Sequence, residues 1–361
     1  MKKILFTAYT LEVGGIETAL ASLLNNLVDN YDITLVLEKK QGLFLDEINK
    51  KIKIIEYNPN QNKNPLIRKT INLFKRINFI IKYKNKFDFA ASFATYSKMG
   101  SFCARIASKN NALWGHLNYI KLFKNKKDMM NFFRFVNYDK FSYIVFVSDE
   151  GANTFKEVFP NMKNKVLTCN NLIDYEKIIN MSNEKIDIRK EEKPTFLNVG
   201  RHEEKQKRLT RIIEASKLLV EEGFDFRVLM VGDGPDTEKY KKLVKENNLN
   251  NYFVFCGRTK NPYPYFKISD ATILTSEYEG YPVVFVESLV LGVPILTTDV
   301  SDAKKEIHNK HGLVTKDNTH EEIAVCMKEI ILNNNKYKNE FNAKKFNEEI
   351  LKKMDIIING G

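Results

Sequence analysis

Short apolar, β-rich runs alternate with helix-length segments from the start of this 361-residue chain, and no other feature narrows the choice of fold as much. Residues 3–7, 33–37, 52–55, 87–90, 112–114 and 143–147 read as strands. After a polar, charged stretch at 183–193 the pattern restarts at 195–199, 227–231, 252–255, 271–275 and 295–297. Runs that stay apolar without alternating in and out suit strands buried on both faces, and helical patterns between them imply parallel pairing. The expectation is an α/β chain of two doubly wound sheets, with ligands beyond the carboxyl ends of the strands. The length suits two domains, here 1–172 and 173–335. Residues 336–361 read as a long helix and a candidate to cross back to the first domain. Two such domains facing one another would create a central cleft.

Composition narrows the setting. Cys103, Cys169, Cys256 and Cys326 are scattered and show no metal-ligand spacing, which points to a reducing cytoplasm and no structural metal. A short apolar stretch after Met1-Lys2-Lys3 does not make a signal peptide, and no run is long enough to cross a bilayer. The net charge of +12 is concentrated in residues 1–170, which hold 27 basic and 14 acidic residues. Between Lys63 and Lys86 basic residues alternate with Leu66, Leu73, Phe74, Ile77 and Ile81, uninterrupted by any acid. A second stretch, 119–143, mixes lysines with Phe123, Phe132, Phe133 and Phe135. Basic amphipathic segments of this kind suit an anionic membrane surface, the plain alternative being solvated helix faces.

Five strand-to-helix junctions carry more than turn chemistry. Gly14-Gly15-Ile16-Glu17 opens a helix, and paired glycines let another group approach the backbone. His116 ends a strand, where a pocket role competes with a structural one. Gly200-Arg201 precedes Glu204-Lys205-Gln206-Lys207-Arg208, placing cations above the sheet to meet a diphosphate, or simply on a solvated surface. Gly232-Asp233-Gly234-Pro235 serves either a ligand or a plain turn. In Ser276–Glu287 a strand gives way to a helix, with Pro282 suited to its first turn. Glu279 then lies in the loop and Glu287 about one turn into the helix, tilted toward the same crevice. A helix N-terminus attracts phosphate, and carboxylates accept hydrogen bonds from sugar hydroxyls. The plain reading of the pair is a surface-loop glutamate and a solvated helix glutamate.

There is no Walker A loop, HExxH, GxSxG or Asp-x-Asp. In their order and spacing, the five junctions resemble family 4 glycosyltransferases, retaining enzymes of the GT-B fold with two Rossmann-like domains, over about residues 1 to 330. The strongest stretch holds Glu279-Gly280-Tyr281-Pro282, Glu287-Ser288-Leu289 and Gly292-Val293-Pro294-Ile295. By that resemblance Glu279 contacts the hydroxyls of the donor sugar, Glu287 the nucleotide ribose, and Arg201 with Lys207 the diphosphate. It likewise implies that Gly14 and Gly15 lie near the phosphates or acceptor, and His116 near the transferred sugar. Gly232, Gly234, Gly280, Tyr281 and Val283 would complete the donor site. Two departures stand out: Pro282 replaces a common glycine, and the segment from Arg201 to Lys207 is one residue longer, with Arg208 at another glycine position. Lys205 is therefore an alternative to Lys207.

The resemblance implies a retaining glycosyltransferase that needs neither cofactor nor metal. It would move a sugar from a nucleoside diphosphate sugar to a lipid-linked or oligosaccharide acceptor in cell-surface polysaccharide biosynthesis. The expected location is cytoplasmic, peripheral on the inner face of the cell membrane through the basic first domain. The alternatives are a nucleotide-sugar epimerase or other enzyme of this fold, and a basic nucleic-acid-binding protein. No RNA- or DNA-binding pattern supports the latter, and nucleic acid is not an expected partner.

Overall fold

A computed structural model describes residues 1–12, 14–337 and 341–360. It divides into two units: Met1–Leu172 together with the chain from Asn347 onward, and Ile173–Phe346. Each is built on one parallel sheet.

In the first unit the strands are β1 (Lys2–Ala8), β2 (Tyr31–Leu37), β3 (Lys53–Glu56), β4 (Phe89–Ser92), β5 (Asn111–Gly115), β6 (Tyr143–Phe146) and β7 (Val166–Thr168), in the order β3-β2-β1-β4-β5-β6-β7. The order reverses between β1 and β4. β4 begins two residues later than expected, and just before it Asp88 bonds to Lys3 twice, its side chain accepting the Lys3 N–H at 2.7 Å and its own N–H donating to the Lys3 carbonyl at 2.8 Å. β7 escaped the sequence reading, since three residues at a sheet edge carry no usable periodicity.

In the second unit the strands are β8 (Thr195–Val199), β9 (Arg227–Val231), β10 (Phe253–Gly257), β11 (Ala271–Leu274), β12 (Ile295–Thr297) and β13 (Gly312–Val314), in the order β10-β9-β8-β11-β12-β13. Here the reversal falls between β8 and β11. β8 pairs with β9 at five positions but with β11 only at Phe196 and Leu197. Beyond Leu197 the Asn198 side chain donates to the Ile273 carbonyl at 2.8 Å in place of a backbone ladder. The two strands therefore part toward their carboxyl ends, which opens a crevice at the switch point.

Two helices in the first unit bear on function. Pro65–Tyr83 starts at Asn64, whose side chain accepts the Leu66 N–H at 3.0 Å, with Pro65 at the position where a missing N–H costs nothing. Phe79 anchors it in the core, worth about 2–3 kcal/mol of apolar burial. Leu66, Leu73, Ile77 and Ile81, spaced at seven and then four residues, share another face, where Leu66 is 75%, Phe74 66% and Ile81 71% exposed. The second basic stretch behaves differently. It breaks into the helices Tyr119–Phe123 and Lys126–Phe135 at Lys124, whose φ is 60°, and Phe133 is fully buried with Phe123 and Phe132 packed on the same core. Core packing accounts for Phe123, Phe132 and Phe133, while Phe135 stays 51% exposed.

The terminal helix runs Ala343–Asn359 and buries Asn347, Ile350, Met354, Ile357 and Ile358 along one stripe. It is tied to the first unit by Tyr31 donating to Asp355 at 2.6 Å and Asn110 donating to the Ile358 carbonyl at 2.9 Å. Of the helix expected from residue 336, positions 338–340 and 361 lie outside the described residues. No helix among the described residues is long and apolar enough to cross a membrane.

Candidate functional site

The loop after β8 and the loop after β11 meet over the crevice of the second unit. Glu279, 6% exposed, lies in the second loop and accepts from Lys207 Nζ at 2.6 Å and from the Ser276 hydroxyl at 2.7 Å, both at Oε1, and from Gln206 Nε2 at 3.3 Å at Oε2. The loops are also joined by the backbone Glu277 N–H donating to the Gln206 carbonyl at 2.7 Å and by the Thr275 hydroxyl donating to the Lys207 carbonyl at 3.2 Å. Arg211 clamps the base, reaching the Thr275 carbonyl at 3.0 Å and Glu277 at 2.6 Å.

Of the other cations, Arg201 is exposed and reaches Glu203 only at 3.7 Å, and Lys205 is exposed. The short helix Glu204–Lys207 ends at Arg208, whose φ of 51° is the left-handed conformation that glycine adopts most readily. That explains physically why glycine suits the position. Here Arg208 occupies it and lies 3.6 Å from Glu277.

Gly232 and Gly234 have a packing role within this crevice. A Cβ on Gly232, at φ +141°, would lie 1.9 Å from the Gly200 carbonyl oxygen, and one on Gly234 2.3 Å from that of His202. The loops after β8 and β9 are thereby pressed backbone to backbone, with His202 N–H donating to the Asp233 carbonyl at 3.1 Å.

The third loop component is the helix Val283–Val290. Pro282 does not occupy its first turn, as the sequence suggested, but the preceding cap position with an extended ψ of 109°. Val283 thus opens the helix, and its first N–H groups lack intrahelical acceptors, as at any helix start. Ser301 donates to the Gly280 carbonyl, and Tyr281 is buried, so the loop is fixed from behind. Glu287 accepts from the Tyr263 hydroxyl at 3.2 Å. Although its side chain keeps some exposed surface, desolvation pushes its carboxyl up to about 7, against the pull of the Tyr263 bond.

In the first unit, Gly14 is the extended residue before the helix Gly15–Leu27. A Cβ on Gly15 would meet nothing within 4 Å, so that face is open to a ligand. His116 is buried, and its Nε2 donates to the Phe93 carbonyl at 2.7 Å. Burial pushes its pKa down to about 4, so at neutral pH it is an uncharged imidazole, and its remaining Nδ1 is an acceptor.

Gln206, Ser276 and Tyr263, which position the two glutamates, were not singled out from sequence. Gln206 and Ser276 were within the quoted motifs, but neither residue type signals a carboxylate partner. Tyr263, 24 residues before Glu287, left no signal.

Residues 181–346 match the model of the family described as Glycosyl transferases group 1. That stretch falls within the second unit, which is similar to this family. Two curated relatives extend this: an uncharacterized glycosyltransferase of Methanocaldococcus jannaschii is 27% identical over 197 residues, covering 49% of this chain and 48% of the relative. The lipopolysaccharide 1,6-galactosyltransferase of Escherichia coli is 30% identical over 122 residues, 32% of this chain and 33% of the relative. The matches thus cover about half or less of those relatives' own length. Among solved structures, Anabaena HepE in complex with UDP and glucose superposes with a TM-score of 0.75 at 16% identity, over 98% of this chain and 100% of HepE. With two parallel doubly wound sheets, the likeness gives the fold as GT-B, two Rossmann-like domains. Within the second unit, the Lys207–Glu279 pair and Glu287 both lie on loops or a helix start at the carboxyl side of the sheet, the side on which such folds bind ligands.

Proposed function

We propose that this chain is a retaining glycosyltransferase that moves one sugar from a nucleoside diphosphate sugar to a saccharide acceptor, lipid-linked and destined for a cell-surface polysaccharide. The observation that carries this reading is the Lys207–Glu279 pair at the switch point of the unit similar to the group 1 family. The HepE structure, solved with UDP and glucose, and the lipopolysaccharide galactosyltransferase relative support the substrate classes. In this reading Glu279 accepts donor-sugar hydroxyls and Glu287 those of the ribose. Lys207, helped by the exposed Arg201, holds the diphosphate, with Lys205 as a further reserve of charge. The bond from the anomeric carbon to the diphosphate oxygen breaks while the acceptor oxygen bonds on the same face. The acceptor's proton passes to the departing diphosphate. Neutral His116 contributes a hydrogen-bond acceptor and no positive charge.

No metal is assigned a role. Thermal stabilisation by UDP, GDP, dTDP, CDP and their sugars, measured in EDTA, tests both the donor and the independence from metal. One nucleotide family is expected to raise the melting temperature, and NMR of the product is expected to show the donor's anomeric configuration retained. Absence of stabilisation by every nucleotide, or an inverted product, would overturn the reading.

The acceptor's lipid anchor fits the helix Pro65–Tyr83, whose exposed Leu66, Phe74 and Ile81 adjoin Arg68, Lys69, Lys75 and Lys82. Apolar insertion plus about 1 kcal/mol per basic side chain favours an anionic surface. Vesicles rich in phosphatidylglycerol are expected to sediment the wild-type protein but not a Leu66→Ser/Phe74→Ser/Ile81→Ser variant. Equal sedimentation of both would exclude this helix as the anchor.

A further inference from the structure

His202 belongs to the loop after β8 and has no part in the mechanism proposed above. It is fully buried, its ring set edge-on to Tyr240 at 5.9 Å and to Phe255 at 6.3 Å. Its Nδ1 lies 2.9 Å from the hydroxyl of Thr237, the first residue of the helix Thr237–Glu246, and its Nε2 is buried with no hydrogen-bond partner among the described residues. Thr237 bonds in turn to the Asp233 carboxylate on the loop after β9 at 2.7 Å and accepts from the Gly234 N–H at 2.9 Å.

Counting protons fixes the direction of these bonds. The Thr237 hydroxyl, and after it the Gly234 N–H, hold the Asp233 carboxyl below the usual carboxylate range, so near neutrality it is ionised and only accepts. The one hydroxyl proton of Thr237 is therefore donated to Asp233, and the backbone N–H of Gly234 can only donate. His202 must then donate its own Nδ1–H to Thr237, which leaves Nε2 without a proton. Burial holds the ring's pKa below the usual histidine value and keeps this neutral form. A side-chain relay of His202, Thr237 and Asp233 thus ties the loop after β8 to the loop after β9.

Backbone bonds make the same crossing on either side of Arg201. Gly200 N–H donates to the Val231 carbonyl at 3.0 Å, His202 N–H to the Asp233 carbonyl at 3.1 Å, and Asp236 N–H to the His202 carbonyl at 3.1 Å. Arg201 stands between two anchored residues, while its side chain is 69% exposed and reaches Glu203 only at 3.7 Å. Its backbone is held and its guanidinium is accessible. Lys207, by contrast, is already paired with Glu279 at 2.6 Å.

We propose that His202 is a positioning residue: through Thr237 and Asp233 it fixes the turn that carries Arg201, so that the guanidinium meets a diphosphate without first having to order its own loop. The proposal rests on the reading of Arg201 as a diphosphate ligand. Three variants test it. His202→Leu keeps an apolar side chain against Tyr240 and Phe255 but cannot donate, His202→Asn offers a side-chain N–H in place of Nδ1–H, and Thr237→Val removes the hydroxyl. Calorimetry with UDP, GDP, dTDP and CDP, and saturation-transfer NMR with the matching nucleosides, are run on the full-length protein. For a diphosphate that the wild type binds, His202→Leu and Thr237→Val are each expected to weaken binding about tenfold while the nucleoside binds as before, and His202→Asn to recover most of the loss. In an Arg201→Ala background, His202→Leu is expected to add nothing, because the group that it positions is gone.

A purely structural role would weaken nucleoside and diphosphate alike and would persist without Arg201; either result would overturn the proposal, as would undiminished diphosphate binding by both His202→Leu and Thr237→Val. Nitrogen-15 NMR of the wild-type imidazole adds a measurement that needs no variant to fold. The proton is expected on Nδ1, and a proton on Nε2 alone would overturn the relay. If the wild type bound none of the four diphosphates, the donor reading would fall and the proposal with it, whereas wild-type binding that ignores His202 would remove the proposal and leave the donor reading in place.

Discussion

Lys207→Met is expected to lower transfer by about 100-fold or more, the usual scale for removing one preorganised charge from a site of developing anionic charge. It is also expected to destabilise the second unit. Glu279 has 8% of its side chain exposed and would lose its ionic partner at 2.6 Å, keeping only Ser276 and Gln206. Breaking a fully buried pair costs about 3–5 kcal/mol. Because the Lys207 side chain is 22% exposed, water screens part of this, and about 2 kcal/mol is expected. The double variant Lys207→Met/Glu279→Gln removes both charges and is expected to recover most of the stability and none of the activity. Urea unfolding together with a transfer assay reads the two effects. Recovery of activity in the double variant would mean that the pair only holds the loops together.

Glu287→Gln is expected to weaken nucleotide binding most at high pH. In the free protein the carboxyl lies at about 7, so it is partly protonated near neutrality. Ribose hydroxyls that donate to the carboxylate bind its ionised form, so wild-type affinity rises with pH, by up to about tenfold per unit below pH 7. The ratio of wild-type to variant affinity for UDP, followed by calorimetry, cancels the titration of the nucleotide's own phosphate. A ratio that stays flat across this range would remove Glu287 from the ribose site.

Stability supplies the opposite sign in the same variant. The folded pKa is raised from 4.5, so protonation favours the folded state as pH falls below about 7. Relative to the fully protonated state, ionisation costs the wild type up to about 3 kcal/mol as pH rises from about 4.5 through 7, less whatever its remaining exposure recovers. The ligand-free Glu287→Gln protein should therefore outlast the wild type at about pH 8 and lose that advantage near pH 4.5.

How these residues came to be found differs from one to the next. Glu279 and Glu287 were legible because a strand, a loop and a helix follow one another within a few residues, and local pattern fixes their placement. Lys207 stood first and Lys205 as its alternative for one role, since a helical segment of four residues gives no hint of which side faces a neighbouring loop. Only the meeting of the loops after β8 and β11 gave Lys207 its partner and left Lys205 exposed. His116 was visible at a strand end, but its neutrality follows from burial against Phe93, 23 residues away. The aromatics of 119–143 resembled an exposed apolar face because composition does not say which side of a helix is covered; Phe123, Phe132 and Phe133 pack on the core and only Phe135 of the four faces outward.

By itself the sequence determined the two parallel sheets, because continuous apolar runs separated by helical segments have few other ways to bury both faces. It also placed the candidate-site motifs around Arg201–Arg208 and Ser276–Glu287, whose residues lie close along the chain. Tertiary structure decided what depends on distant contacts: the strand orders, the edge strands β7 and β13, and the membership of the terminal helix in the first unit. Those features arise from the packing of segments tens to hundreds of residues apart, and no local periodicity encodes them.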